Sequence, residues 1–256
     1  MTETDERADA AGPLWRRALA ELLGSALLAA VVIGSGIAAQ TLSPYNVGLE
    51  LLENAAATAG GLFALILMLG PVSGAHFNPV VSLVDAAFGG LAWSEAGLYV
   101  VAQLVGCAAG AVLANAMFAR PLITLSQHAR ASGPHLLAEV VATAGLVLVI
   151  FALKRSGRSA HAPAAVGTYI GAAYFFTSST SFANPAIALG RSLSNTFAGI
   201  APASVPGFVG AELLGGVVGY ALVRVLYPGR SPEDAADVIL AHQRERAPLD
   251  QEGPDE

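Results

Sequence analysis

Asparagine followed by proline occurs twice at the head of an apolar segment too short to cross a bilayer. Asn78-Pro79 lies in "SGAHFNPVVSLVDAAFGG" and Asn184-Pro185 in "TSSTSFANPAIALGRSL". A spanning helix takes roughly 20 apolar residues, so each of these segments predicts a re-entrant half-helix beginning near mid-membrane. Such a start leaves unpaired N–H groups in a medium without water, at a cost of several kcal/mol each. Proline at the first helical position removes one donor with a suitable φ, and asparagine before it caps the turn. The side-chain amides of Asn78 and Asn184 are left to offer donors toward a lumen.

The rest of the chain supplies the membrane context. Of its 256 residues, 54% are hydrophobic and 12% charged, too oily for a soluble domain. Apolar runs of spanning length fall at about 15–40, 47–70, 94–119, 135–154, 160–180 and 204–226. The first is too long for a cleaved leader and reads as retained. Of the 19 acidic residues, 12 lie in two tails, so the net charge of −6 describes solvated ends. Residues 1–14 and 228–256 read as acidic cytoplasmic tails, the second with a short helix from Ser231-Pro232, flanking a membrane domain at 15–227. Ten basic residues, among them Arg16, Arg17, Lys154 and Arg224, fall on the side of the termini, against Arg120, Arg130 and Arg191 opposite. The positive-inside rule then puts both termini in the cytoplasm.

The chain also repeats. Ala20-Glu21 answers Ala138-Glu139 at an offset of 118, Asn78-Pro79 answers Asn184-Pro185 at 106, and Gln103 answers Glu212 at 109. Three spans per copy, at about 15–119 and 135–227, require the second copy to enter the membrane inverted, with functional groups near the midplane. The expected fold is therefore all-α: six transmembrane helices plus two re-entrant half-helices in an inverted repeat. The lone Cys107 offers no disulfide or metal spacing, and no nucleophilic constellation is recognisable. Neither an enzyme nor a cofactor or metal site is expected, and nothing points to nucleic acid.

"SGAHFNPVVSL" with "SFANPAIALGRSL", the intramembrane Glu21 and Glu139, and six spans resemble the major intrinsic protein family, the aquaporins and aquaglyceroporins. That resemblance implies a right-handed six-helix bundle, one pore per protomer, usually a homotetramer, and a passive pathway for water and small neutral solutes. It also implies that Glu21 and Glu139 accept backbone donors from the half-helix loops, with His76 as a loop residue. The pore-centre motifs read Asn78-Pro79-Val80 and Asn184-Pro185-Ala186, and Val80 predicts a slightly reshaped centre. Family constriction positions map to Thr58, Ala172, Ser181 and Ile187; most members carry arginine where Ile187 stands. The aspartate usual in glycerol facilitators is replaced by Ala188.

Bacterial aquaporin-like members associated with arsenic resistance resemble this chain, with a branched aliphatic residue in place of that arginine and the run "FTSSTSFANPA". Losing a planar, charged, multidentate side chain widens a constriction and makes one wall apolar. The resemblance thus implies glycerol, metalloid hydroxides or methylarsenicals as solutes, with water. A mainly water-conducting channel and a proton-coupled solute transporter remain as alternatives. Spacing adds that Arg191, four residues after Ile187, shares its helical face, and that Asp85 is its symmetry mate at the opposite mouth. On the second span Glu50, Asn54 and Thr58 share a face, which predicts a Glu50–Arg191 pair in the outer vestibule.

Overall fold

The computed structural model describes residues 12–228; the tail helix expected at Ser231-Pro232 lies outside the described residues. All regular structure among them is helical. Helices α1 (Leu14–Leu42), α2 (Val47–Ser73), α3 (Pro79–Ala87) and α4 (Trp93–Met117) are followed by α5 (Gly133–Arg155), α6 (Ala162–Phe176), α7 (Pro185–Arg191) and α8 (Val205–Leu226). Five of these, α1, α2, α4, α5 and α8 with the turn before it, are long and apolar enough to cross a membrane.

The sixth span differs from the expected 160–180. Its α-helix has 15 residues and stops at Phe176, with a 3₁₀ turn at Ser159–His161 ahead of it. Together they reach about 28 Å, close to the hydrocarbon thickness. Beyond Phe176 the backbone must turn back toward the centre, so Thr177–Ala183 are spent on that descent.

Packing follows the inverted repeat. Helix α1 packs chiefly on α4 and α2, and α5 on α8 and α6; α3 and α7 each lie on the last long helix of both halves, and α2 meets α6 across the centre. Glycines admit the closest approaches. A Cβ at Gly106 or Gly110 would stand 2.3 or 2.1 Å from the carbonyl oxygens of Leu22 or Ala26 in α1. In the other half, Gly215 faces the Val140 carbonyl at 2.6 Å and Gly219 the Ala144 carbonyl at 2.9 Å. Both glycine pairs are separated by four residues, the small-xxx-small pattern that lets membrane helices pack backbone to backbone. Between them the long helices leave apolar side chains such as Leu27, Val105, Leu213 and Val217 exposed, as a lipid-facing surface requires.

Candidate functional site

The two half-helices meet tip to tip. Asn78 caps α3 by accepting from Val80 N at 2.9 Å, and Asn184 caps α7 by accepting from Ala186 N at 3.0 Å and Ile187 N at 3.3 Å. Each asparagine also reaches across the repeat boundary: Asn78 Nδ2 donates to Ala183 O and Asn184 Nδ2 to Phe77 O, both at 2.7 Å. An amide nitrogen carries two hydrogens, so each asparagine keeps one donor beyond this lock.

The approach to each cap is strained in the same way. Phe77 and Ala75 in one loop, and Ala183 and Ser181 in the other, have positive φ near 50°. Left-handed backbone costs about 1–3 kcal/mol per non-glycine residue and persists only where its surroundings over-determine it. Glu21 does so for the first loop, accepting from His76 N at 3.0 Å and Phe77 N at 2.7 Å. Glu139 does so for the second, from Phe182 N at 2.9 Å and Ala183 N at 2.7 Å. Ser73 and Ser179 each accept the N–H two residues on, again 106 residues apart.

The halves differ in the layer behind these carboxylates. In the first, Gln103 donates to Glu21 and Ser82, and Ser73 Oγ donates to Glu21 at 2.6 Å. In the second, Glu212 accepts from Asn184 N at 3.0 Å through one carboxylate oxygen, and its other oxygen is buried without a partner among the described residues. All four residues, Glu21, Glu139, Gln103 and Glu212, are fully buried. His76 pairs its Nδ1 with Ser82 Oγ at 3.1 Å and stands edge-on to Tyr99.

Toward the side opposite the termini, Thr58, Ser181 and Ile187 are brought into the bundle interior, all under 5% exposed. Ala172 is not. It lies on the outward face of α6, exposed, while Val166, Ile170, Ala173 and Tyr174 turn inward. The inward residue at this level is Tyr174, whose hydroxyl is hydrogen-bonded to Thr58 Oγ1 at 3.0 Å. Counting back from Asn184 passed through the non-helical descent, and a two-residue error on a helix is about 200° of rotation.

Three further expectations are corrected. Val80 does not line the centre: its Cγ1 would stand 2.5 Å from a Cβ at Gly216, and it packs with Val84, Val147, Phe151 and Val223. Asn54 is no vestibule residue, because its amide donates to Val32 O and Ser35 Oγ of α1. The Glu50–Arg191 pair is not formed. Glu50 is buried beside the start of α2, and the ion pairs among the described residues are Arg17–Glu95, Lys154–Asp85 and His76–Asp85.

Arg191 instead turns inward at 2% exposure, its Nε donating to Ala198 O and its guanidinium carbon 3.4 Å from the Phe182 ring centroid. Phe182 and Tyr174 are the residues that sequence reasoning missed. Each stands inside a run already singled out, but aromatics in apolar runs give no sign of which way they face.

A half-helix pair joined through reciprocal Asn-to-carbonyl bonds is accompanied by a direct sequence match. Residues 10–193 match the profile of the major intrinsic protein family. The chain belongs to that family. It is 50% identical over 229 residues to aquaglyceroporin AqpS of Rhizobium meliloti, covering 87% of this chain and 97% of the relative. It is 30% identical over 274 residues to the glycerol uptake facilitator protein of Pseudomonas aeruginosa, covering 91% and 96%. Among solved structures it resembles the aquaglyceroporin from Plasmodium falciparum, with a TM-score of 0.67 at 20% identity over 84% of this chain and 98% of that one, a likeness of fold. The protein is thus a multi-pass membrane channel for small solutes and water.

Proposed function

We propose that this chain is a passive channel whose wide constriction admits uncharged solutes of glycerol size and above, including metalloid hydroxides or methylarsenicals, along with water. The observation that carries this reading is Ile187. It follows Asn184-Pro185-Ala186 directly, is 4% exposed, and belongs to an apolar cluster with Phe182 and Ala186. A branched aliphatic side chain there offers bulk without charge or directed donors, so it ranks solutes by size more than by hydrogen bonding. Two positive half-helix ends at the centre disfavour cations, and the names of the two bacterial relatives agree with a solute pathway. Thr58, Ser181 and Tyr174 complete the constriction in this reading. The functional unit is a homotetramer of channel domains, 15–227, in the cell membrane with both termini cytoplasmic.

The test is stopped-flow permeability of proteoliposomes holding wild type or Ile187→Arg, with water, glycerol and trivalent arsenic compared on one preparation. Wild type should pass all three, and the arginine variant should keep water and lose the larger solutes. Wild type that passes water alone would sink the solute reading in favour of a water channel. Solute accumulated against its gradient under a proton motive force would favour a coupled transporter.

A further inference from the structure

Asn184, Ile187 and Arg191 form one stripe along α7, at intervals of three and four residues. On α3 the equivalent stripe begins at Asn78 and ends at Asp85, 106 residues before Arg191. The two ends are treated differently. Asp85 accepts from Lys154 Nζ at 2.7 Å and has His76 Nε2 at 3.7 Å, so its charge is met within the protein. Arg191 has no carboxylate within ion-pair distance among the described residues, although it is just as buried. Glu139 and Glu212 make no ion pair with it and hold the N–H groups of Phe182, Ala183 and Asn184 instead.

Guanidinium has five N–H donors. One goes to Ala198 O, and the other four have no protein acceptor among the described residues. The terminal nitrogens are not among the fully enclosed polar atoms without a partner, so they border open space in which water or solute oxygens can accept from them. Ser181 Oγ, in the residue preceding Phe182, is buried and likewise without a partner among the described residues. Phe182 supplies an apolar face against the guanidinium, and the loop is held in place by Arg130, which donates to Gly199 O and Phe197 O.

We propose that Arg191 determines specificity: from one turn beyond Ile187 it places an uncompensated positive charge at the far end of the pore, bars cations, and hydrogen-bonds the hydroxyl oxygens of neutral solutes. This rests on the channel reading above.

The test uses proteoliposomes of wild type, Arg191→Gln and Arg191→Lys, reading proton and potassium leak together with water, glycerol and ribitol permeability. Arg191→Gln should raise cation leak by roughly tenfold or more and change the glycerol-to-ribitol ratio, while Arg191→Lys keeps the leak low. Folded Arg191→Gln with wild-type leak and solute ratio would overturn the proposal. So would equal leak in both variants, since lysine keeps the charge, or failure of both to fold, which would make Arg191 a clamp on the Ala198 loop. If wild type passes water but no polyol, the solute reading falls, while the leak comparison still decides the role of Arg191.

Discussion

At the scale of single residues, the centre is held by carboxylates that compensate strained backbone. Each hydrogen bond to a charged acceptor contributes about 1.5–3 kcal/mol, which matches the cost of the left-handed residues it fixes. Glu139→Gln would keep one acceptor oxygen for one of the donors Phe182 N and Ala183 N but turn an NH₂ toward the other. A loss of roughly 2–6 kcal/mol is expected, read as a lower unfolding temperature in detergent together with lost permeability. Val80 tests the opposite case. Its side chain fills the notch at Gly216 rather than the lumen, so Val80→Ala should cost about 1–3 kcal/mol of stability as a cavity while leaving the glycerol-to-water permeability ratio unchanged. A changed ratio would return Val80 to the pore wall.

At the scale of elements, the two glycine pairs decide how closely the outer helices can approach. Gly215→Val would drive a branched side chain into the Val140 carbonyl and Thr143, which already stand 2.6 and 2.8 Å from a hypothetical Cβ. The α5–α8 contact should then fail, with aggregated material on size exclusion, whereas the exposed Val217→Ala on the same helix should behave as wild type. Period and punctuation in the sequence located these elements well: the half-helices begin at the two prolines, and Glu21, Glu139, Gln103 and Glu212 converge on their loops. Side-chain direction was less legible. Asn54 and Thr58 occupy one buried stripe, yet the first serves α1 and the second meets Tyr174. A buried face is the same sequence pattern whether it lines a pore or a neighbouring helix. Ala172 was misplaced because the extended descent after Phe176 has no period from which to count.

At the scale of the whole molecule, the inverted repeat fixes what must share a side of the membrane. The N-terminal end of α1, the turn at Ser159–His161 and the C-terminal end of α8 lie at one face, and the connection between α4 and α5 lies at the other. In the proposed orientation, which rests on the distribution of basic residues, the first face is the cytoplasmic one. The chain offers a clean way to check this, because its one cysteine, Cys107, is fully buried. A cysteine introduced at an exposed position is then the thiol that a membrane-impermeant maleimide finds first. Leu122→Cys, on the α4–α5 connection, should label in intact cells, and Ala160→Cys only after the membrane is opened. The reverse pattern would invert the channel, placing the Asp85–Lys154 mouth outside and Arg191 toward the cytoplasm.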